Sequence, residues 1–407
     1  MMLVMDLRRL VMAILVTLAL APAGAARAAG PAPVILISID GFRADYLTRG
    51  LSPNLAALAL AGSRAERMIP SFPSITFPNH YTLVTGLYPD HHGIIANGFE
   101  DPKVGSAPFR MNSKEEAWWN QALPIWVTAE RQGVKAGLMF WPGSEVAFDG
   151  GYASRWQPYD KTLPADARVD RILAWLDLPP AERPRFYTLY FEAVDSAGHA
   201  AGPDSPEVNR AIATVDHALG RLAEGLKARG IAADLIVVSD HGMAEVPPDH
   251  VVALDRIVDP RDLHIVFQDA VLGVDIQPGE HGEAARAKLL ASHDHMACWD
   301  KAKVPARFHY GSNPRVPEVI CLADTGWLIE ASATGGRSAV IHGEHGYDNS
   351  DPLMGALFIA NGPDFKRGLV IPPFPNVDVY PLLAGILGVR PEANDGRLAD
   401  LQPILAK

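Results

Sequence analysis

The amino-acid sequence predicts a doubly wound α/β fold: a parallel or mixed sheet covered by helices on both faces. Three observations carry this expectation. First, the short apolar runs "PVILISIDGF", "RFYTLYFEAVDSAGH", "DLIVVSDHG" and "MGALFIANG" lack the alternation of a strand with one wet face, so they read as strands buried on both sides. Second, segments with helical spacing lie between these runs. Third, the runs end in acidic or polar residues, and in sheets of this kind functional groups collect at the carboxyl ends of strands.

Each element has its own signals. In "SPNLAALALAG", Ser52 is a cap, Pro53 takes the first helical position and Gly62 is the stop. "PEVNRAIATVDHALGRLAEGLKARG" places Ile212, Val215, Leu219 and Leu222 at helical spacing and ends at Gly230. A third helix opens just after Thr76 in "PSFPSITFPNHYTLVTG", with Pro78 in its first turn and Gly86 as its stop. Two stretches break the rhythm. Residues 98–180, rich in Trp, Gly and Pro, are expected to form an elaborated loop or lid region. Residues 251–334 hold short pieces of both kinds and both cysteines, most simply a small α+β cap insertion. The core then comprises 29–250, including the lid region, and 335–407.

The 407 residues suffice for a large core, or roughly two to three domain-sized units. The net charge of −11 is mixed along the chain without a Lys/Arg run, which argues against a surface for coating duplex nucleic acid. Any anionic substrate must therefore be attracted locally. Arg8 and Arg9 precede "LVMAILVTLAL" and the small-residue stretch "APAGAARAAG", so residues 1–28 read as a secretory signal cut near Ala28. The apolar run is shorter than the ~20 residues a spanning helix needs, and no later run is long enough. The expectation is an exported protein, periplasmic or secreted, with no membrane span and no obligate protein partner. Cys298 and Cys321 are the only cysteines, and neither sits in a CxxC pair. In an oxidising compartment such a pair is expected to close as a disulfide, the alternative being two buried thiols.

Three apolar runs finish on an aspartate: Asp40 in "ISIDGF", Asp195 in "FEAVDSAGH" and Asp240 in "VVSDHG". One Asp-Gly after a strand is usually a turn, but three, two of them followed closely by histidine, point to a shared site. Asp195 and His199 can bind one ion if the loop curls as Gly198 permits. Asp240 and His241 are adjacent, which works only off a strand end, where neighbouring side chains need not diverge. "IHGEHGYDNSD" adds His342 and His345 in a Gly-rich turn. Neutral imidazole with carboxylate, and no thiolate, is the ligand set of a catalytic zinc or a related divalent site. The histidines of "DHH" at Asp90 to His92 and "HDH" at His293 to His295 read as surface or supporting residues. A hydroxyl at the start of the helix after Thr76 sits near its positive end, a natural place for an alkoxide or a phosphate. A metal ion can hold such a hydroxyl deprotonated. Spacing alone does not choose between Ser74 and Thr76.

Together, "ISIDGFRADY", "PSFPSITFPNHYTLVTGLYPDHHGI", "EAVDSAGH", "VVSDHGM" and "HGEHGYDN" resemble the nucleotide pyrophosphatase/phosphodiesterase family of the alkaline phosphatase superfamily. The motifs run in order over most of the chain, as in a bacterial single-domain member. The resemblance implies an alkaline-phosphatase-like core and two Zn²⁺ ions. One zinc takes Asp195, His199 and His345; the other takes Asp40, Thr76, Asp240 and His241. Thr76 matches the nucleophile, and Asn97 matches the residue that helps hold a phosphate oxygen. Phe77, by composition a core residue, matches a platform for the nucleotide base, and Tyr159 and Tyr190 resemble further aromatic contacts. The implied activity is hydrolysis of nucleotide or nucleotide-sugar type phosphodiesters and pyrophosphates through a covalent threonine intermediate, releasing 5′-nucleoside monophosphates. The competing readings are a choline or lipid-headgroup phosphodiesterase of the same family and a non-catalytic nucleotide-binding protein.

Overall fold

The apolar runs form the strands of a mostly parallel sheet. The computed structural model describes residues 31–332, 336 and 340–406, so the expected leader at 1–28 lies outside the described residues. In chain order the first strands are β1 (Val34–Ile39), β2 (Ser63–Ala65), β3 (Ala136–Met139), β4 (Arg155–Gln157), β5 (Phe186–Phe191) and β6 (Asp234–Val238). Next come β7 (Leu263–Phe267), β8 (Val271–Ile276), β9 (Met296–Asp300) and β10 (Val319–Ala323), which belong to a separate sheet. The chain then returns with β11 (Phe358–Asn361) and β12 (Leu369–Ile371). The eight-stranded sheet has the order β12-β2-β11-β6-β1-β5-β3-β4. From β6 to β4 every pairing is parallel, and β11 runs antiparallel to β6 and β2. Every residue of β1, β5 and β6 is buried, which explains why these strands do not alternate.

The helices are α1 (Pro53–Ala61), α2 (Thr76–Thr85), α3 (Ile125–Arg131), α4 (Ala165–Leu176), α5 (Ala193–Ala201), α6 (Pro206–Ala228), α7 (Glu280–Leu289) and α8 (Val379–Leu387). The pleat divides β1 between two cores. Val34 and Leu36 pack with Leu83 of α2, Trp126 of α3 and Leu383 of α8. Ile35, Ile37 and Ile39 pack with Leu55 of α1, Ile172 of α4 and Leu219 of α6. On α6 the predicted stripe of Ile212, Val215, Leu219 and Leu222 is buried, at about 1.5–3 kcal/mol per side chain.

The structure differs from the sequence reading in three places. Ser52 and Gly62 do bound α1, but Ser52 makes no capping hydrogen bond through its side chain. Thr76 is itself the first residue of α2, one position earlier than expected, and Gly86 ends the helix at φ 69°. The stretch 98–180 is more than a loop, because β3, β4, α3 and α4 lie within it and extend the main sheet. The strands are only four and three residues long, too short for periodicity to reveal.

The strands β7 to β10 form an antiparallel sheet of order β7-β8-β10-β9, with its own small core around Leu272, Leu289 and Cys321. Cys298 and Cys321 face each other across β9 and β10 and are joined as a disulfide. No helix among the described residues is long and apolar enough to cross a membrane.

Candidate active site and metal centre

The carboxyl ends of the adjacent strands β5, β1 and β6 meet at one edge of the sheet, and the titratable residues gather there. Asp40 directly follows β1, and Asp240 and His241 lie just beyond β6. Gly41 adopts φ 68°, and a Cβ on it would come within 2.9 Å of the Asp195 Cα, so only glycine fits between the two aspartates. Asp195 and His199 stand on α5, where a spacing of four places both on one face. The expected curled loop is thus a helical turn. Gly198 serves close packing instead: a Cβ there would meet the Met243 side chain at 2.9 Å. His345 follows the short strand Gly343–Glu344, which pairs with Ala244–Glu245 just after His241. His342 is exposed, whereas His345 is buried in the cluster.

Two groups of ligand atoms result. His199 Nε2 and His345 Nε2 are 3.2 Å apart, and Asp195 Oδ1 lies 3.4 and 3.5 Å from them. His241 Nε2 lies 2.9 Å from Asp240 Oδ2, 3.6 Å from Asp40 Oδ1 and 3.3 Å from Thr76 Oγ1. The opposite nitrogen of each ring is occupied: Nδ1 of His199, His241 and His345 faces the carbonyls of Gly343, Gly242 and Ser74 at 2.8, 2.9 and 3.0 Å. With a proton on each Nδ1, all three Nε2 lone pairs point into the cluster, the usual orientation of ligating histidine.

Facing lone pairs and carboxylates call for a cation. Asp40 Oδ1, Asp195 Oδ1 and Asp240 Oδ2 are buried without a hydrogen bond. Burial, together with Asp240 and Asp195, raises the Asp40 carboxyl well above the usual range. Burial also opposes charge on Asp240, but His241 and His80, when they carry a second proton, outweigh it and hold that carboxyl well below, and Asp240 in turn raises His241 against its own burial. His345 is held well below the usual imidazole value by burial and then by His241 and His199, which keeps it neutral as a ligand must be. The oxygen and nitrogen donors, with no thiolate, suit zinc or a related divalent ion.

Around the cluster lies a cavity of about 980 Å³. Thr76, Phe77, Asn97, Tyr159 and Tyr190 all line it. Thr76 is 8% exposed, whereas Ser74 is fully buried and its hydroxyl donates to the Tyr347 carbonyl at 2.9 Å. Asn97 Oδ1 accepts the Phe77 N–H at 2.8 Å. Phe77 is half-buried, with its ring edge-on to Phe109 at 6.1 Å. Tyr159 is exposed, and Tyr190 is buried with its hydroxyl donating to Asp40 Oδ2 at 2.6 Å. The tip of the hairpin β7–β8, including Phe267 and Gln268, forms part of the wall.

Residues 34–348 match the family model for type I phosphodiesterase / nucleotide pyrophosphatase. The chain belongs to this phosphodiesterase family. An uncharacterised pyrophosphatase/phosphodiesterase of Schizosaccharomyces pombe is 40% identical over 400 residues, covering 91% of this chain and 80% of that protein. The rat ectonucleotide pyrophosphatase/phosphodiesterase family member 3 is 40% identical over 388 residues, covering 92% of this chain and 44% of its own length. The chain therefore spans less than half of that animal relative. Among solved structures, human ectonucleotide pyrophosphatase/phosphodiesterase 5 superposes with a TM-score of 0.88 at 32% identity, covering 92% of this chain and 100% of that one. The mouse counterpart, an inactive threonine-to-alanine variant in complex with AMP, gives 0.87 at 32% identity, covering 92% and 100%. These relatives are eukaryotic and lend no support to a bacterial origin. The mostly parallel α/β fold expected from sequence is the one observed in this phosphodiesterase family.

Some residues at the site were not singled out in sequence. His80 lies one helical turn after Thr76; its Nδ1 is 2.9 Å from the Thr76 carbonyl and 3.3 Å from Asp240 Oδ2, and its Nε2 is 2.8 Å from Ser38 Oγ. Its spacing of four from Thr76 on a predicted helix was the available signal. Asn79 and Glu344 gave none beyond adjacency to motif residues. Of the other histidines, His91, His293 and His295 are at or near the surface, and His92 is buried beside Thr82 at 3.0 Å.

Proposed function

We propose that this chain is a zinc-dependent nucleotide pyrophosphatase/phosphodiesterase, exported by its leader, that releases 5′-nucleoside monophosphates through a covalent threonine intermediate. The observation that carries this reading is the place of Thr76 Oγ1, 3.3 Å from His241 Nε2 at the start of α2. The mouse relative described as inactive with a threonine-to-alanine substitution, and solved with AMP, supports it.

Asp195, His199 and His345 would hold one Zn²⁺, and Asp40, Thr76, Asp240 and His241 the other. Such ions, when bound, supply polarisation of phosphoryl oxygens and nucleophiles deprotonated at neutral pH. The Thr76 oxygen attacks phosphorus in line, and the bond to the leaving oxygen breaks with its electron pair. Water then attacks the threonine ester, and Thr76 recovers its hydroxyl. The amino-terminal end of α2 presents its positive end to the phosphoryl group. Asn97, its Oδ1 engaged by the Phe77 N–H, turns its amide NH₂ to a phosphoryl oxygen. Tyr190 orients Asp40 through its hydroxyl while its ring remains in the cavity wall. Phe77 and Tyr159 are the platform for a base, at about 1–3 kcal/mol per stacked ring. The cap is residues 251–334, whose hairpin tip closes one side of the cavity.

Three aspartates and an alkoxide would balance two divalent ions, which suits a monoanionic diester better than a dianionic monoester. Arg110, Lys114 and Lys161 also line the cavity, but all come from the 98–180 region, and Lys114 is paired with Glu145 at 2.7 Å. The test is a panel of ATP, NAD, cyclic dinucleotides, glycerophosphocholine, and bis- and mono-aryl phosphates, each with and without chelator. Expected are turnover of the nucleotides, a bis-aryl over mono-aryl preference, loss of activity on chelation and recovery with Zn²⁺. A preference for glycerophosphocholine would replace the nucleotide reading, and activity indifferent to chelator would sink the metal mechanism.

A further inference from the structure

Two cations on the cavity wall have no acidic partner among the described residues. Glu145 and Glu192 on that wall are paired with Lys114 at 2.7 Å and with Arg168 at 2.6 Å, whereas Arg110 and Lys161 form no ion pair. In a chain of net charge −11, such cations draw an anion in locally. Lys161 follows Tyr159 by two residues, on the side given to the base. Arg110 is held elsewhere. Its Nη1 donates to the Phe109 carbonyl at 3.0 Å, and Phe109 pairs with Phe99 as an isolated bridge. The bridge brings Arg110 back over Gly98, the neighbour of Asn97, where a Cβ would lie 3.0 Å from the same Nη1. The absence of a side chain at Gly98 thus leaves room for the guanidinium beside Asn97. Nε and Nη2 of Arg110 make no hydrogen bond to the described residues and face an open cavity. A guanidinium stays charged at any working pH, and its fork of donors matches a phosphate.

We infer that Arg110 is a specificity-determining residue that takes the anionic phosphate next to the one under attack, so that the site favours pyrophosphate-linked nucleotides over simple diesters. The inference rests on the nucleotide reading above and names a substrate class within it. A simple diester carries one negative charge, at the phosphorus that Thr76 attacks. A nucleoside triphosphate or a pyrophosphate-linked dinucleotide carries at least one more, a single bridging oxygen away. Asn97 is already assigned to the first phosphate, and the guanidinium beside it supplies a fixed charge for the second. Because Arg110 is exposed, solvent and salt screen this charge in part, so it sets preference among substrates and leaves the chemical step to other residues.

Arg110→Ala and the parent chain are compared on two substrates that share a nucleoside: thymidine triphosphate and the nitrophenyl ester of thymidine 5′-monophosphate, which has one phosphate. Calorimetry of the metal-loaded proteins measures binding of α,β-methylene-ATP, which resists cleavage at that link, and of AMP. The expected result is a roughly tenfold loss of kcat/KM for the triphosphate, mainly through KM, and roughly tenfold weaker binding of α,β-methylene-ATP; tenfold corresponds to about 1.4 kcal/mol. The aryl ester and AMP should stay within about twofold of the parent, and Arg110→Lys, which keeps the charge, should recover most of the loss. Equal losses on both substrates would place Arg110 at the attacked phosphate and overturn the inference, as would no loss on either. Arg110→Gln gives the same readouts should the alanine variant melt early. A parent chain that hydrolyses bis-aryl phosphate but neither thymidine compound refutes the nucleotide reading itself. A parent that hydrolyses both, with no selective loss in the variant, refutes the Arg110 assignment alone.

Discussion

Ser74 and Thr76 show how a two-residue difference decides chemistry. Both are hydroxyls near the start of α2, yet Ser74 donates to the carbonyl of Tyr347 and Thr76 faces His241. Thr76→Ala should lower kcat by about 10³-fold or more, as loss of a nucleophile does elsewhere. Its zinc content, read by emission spectroscopy, should remain measurable because the aspartate and histidine ligands are untouched. Ser74→Ala should keep most of the activity and lose about 1 kcal/mol of stability with its hydrogen bond. Comparable turnover by the two variants would refute this assignment. The aspartates and histidines were legible in the sequence because they punctuate apolar runs, and a strand end is a local feature. The choice of hydroxyl was not legible from spacing, because it depends on a carbonyl contributed 273 residues later in the chain. Tyr190 was legible as an aromatic near the site, but its hydrogen bond to Asp40 joins β5 to the end of β1 and leaves no trace in either segment alone.

At the scale of elements, α2 works as a mounting for Thr76 because its first turn is pinned from several directions. Asn79 donates to the carbonyls of Pro73 and Ile75 at 2.9 and 2.8 Å and accepts from the Ser71 N–H at 2.7 Å and from Asn376 Nδ2 at 2.9 Å. All four hydrogen-bonding positions of its amide are therefore used, and the residue is fully buried. Asn79→Ala should cost at least about 2 kcal/mol, since it leaves several buried polar groups unpaired. Chemical denaturation measures that cost. With the loop before Thr76 released, kcat should fall more than KM rises, and an unchanged kcat would show that the loop is held by other means. The helices α1 and α6 were legible because Pro53 and Gly62 bracket the first and an apolar stripe marks the second, signals encoded within the segments themselves. The segments β3, β4 and α5 were not: the strands are too short for a period, and α5 carries glycine and polar residues for the site instead of a helical stripe.

At the scale of the whole molecule, the C-terminal segment returns to fasten α2, and this return carries a buried acid. Asn376 bonds to both Ser71 and Asn79, and two residues later Asp378 stands at the start of α8. Asp378 is 1% exposed; its Oδ1 accepts the Arg397 N–H at 2.7 Å, and its Oδ2 is buried without a hydrogen bond. Burial, reinforced by Asp400, pushes its carboxyl up to about 7 despite the Arg397 contact. An unfolded aspartate releases its proton near about 4, so between about 4 and 7 the folded chain holds a proton that the unfolded chain has lost. Stability from this group is full below that window and disappears as pH rises through it. Asp234, which burial pushes up to about 6, acts in the same direction. On their own these two carboxyls make the melting temperature fall between pH 5 and pH 8, while His92, which burial pushes down to about 3, opposes them below about 6.5. Asp378→Asn cannot titrate, so the difference between parent and variant should shrink or reverse by roughly 2–5 °C across that range, leaving a residual slope from Asp234. Scanning calorimetry of both proteins at matched ionic strength and metal loading decides the matter. Parallel melting profiles would mean that Asp378 stays ionised in the fold, with its second oxygen satisfied by water.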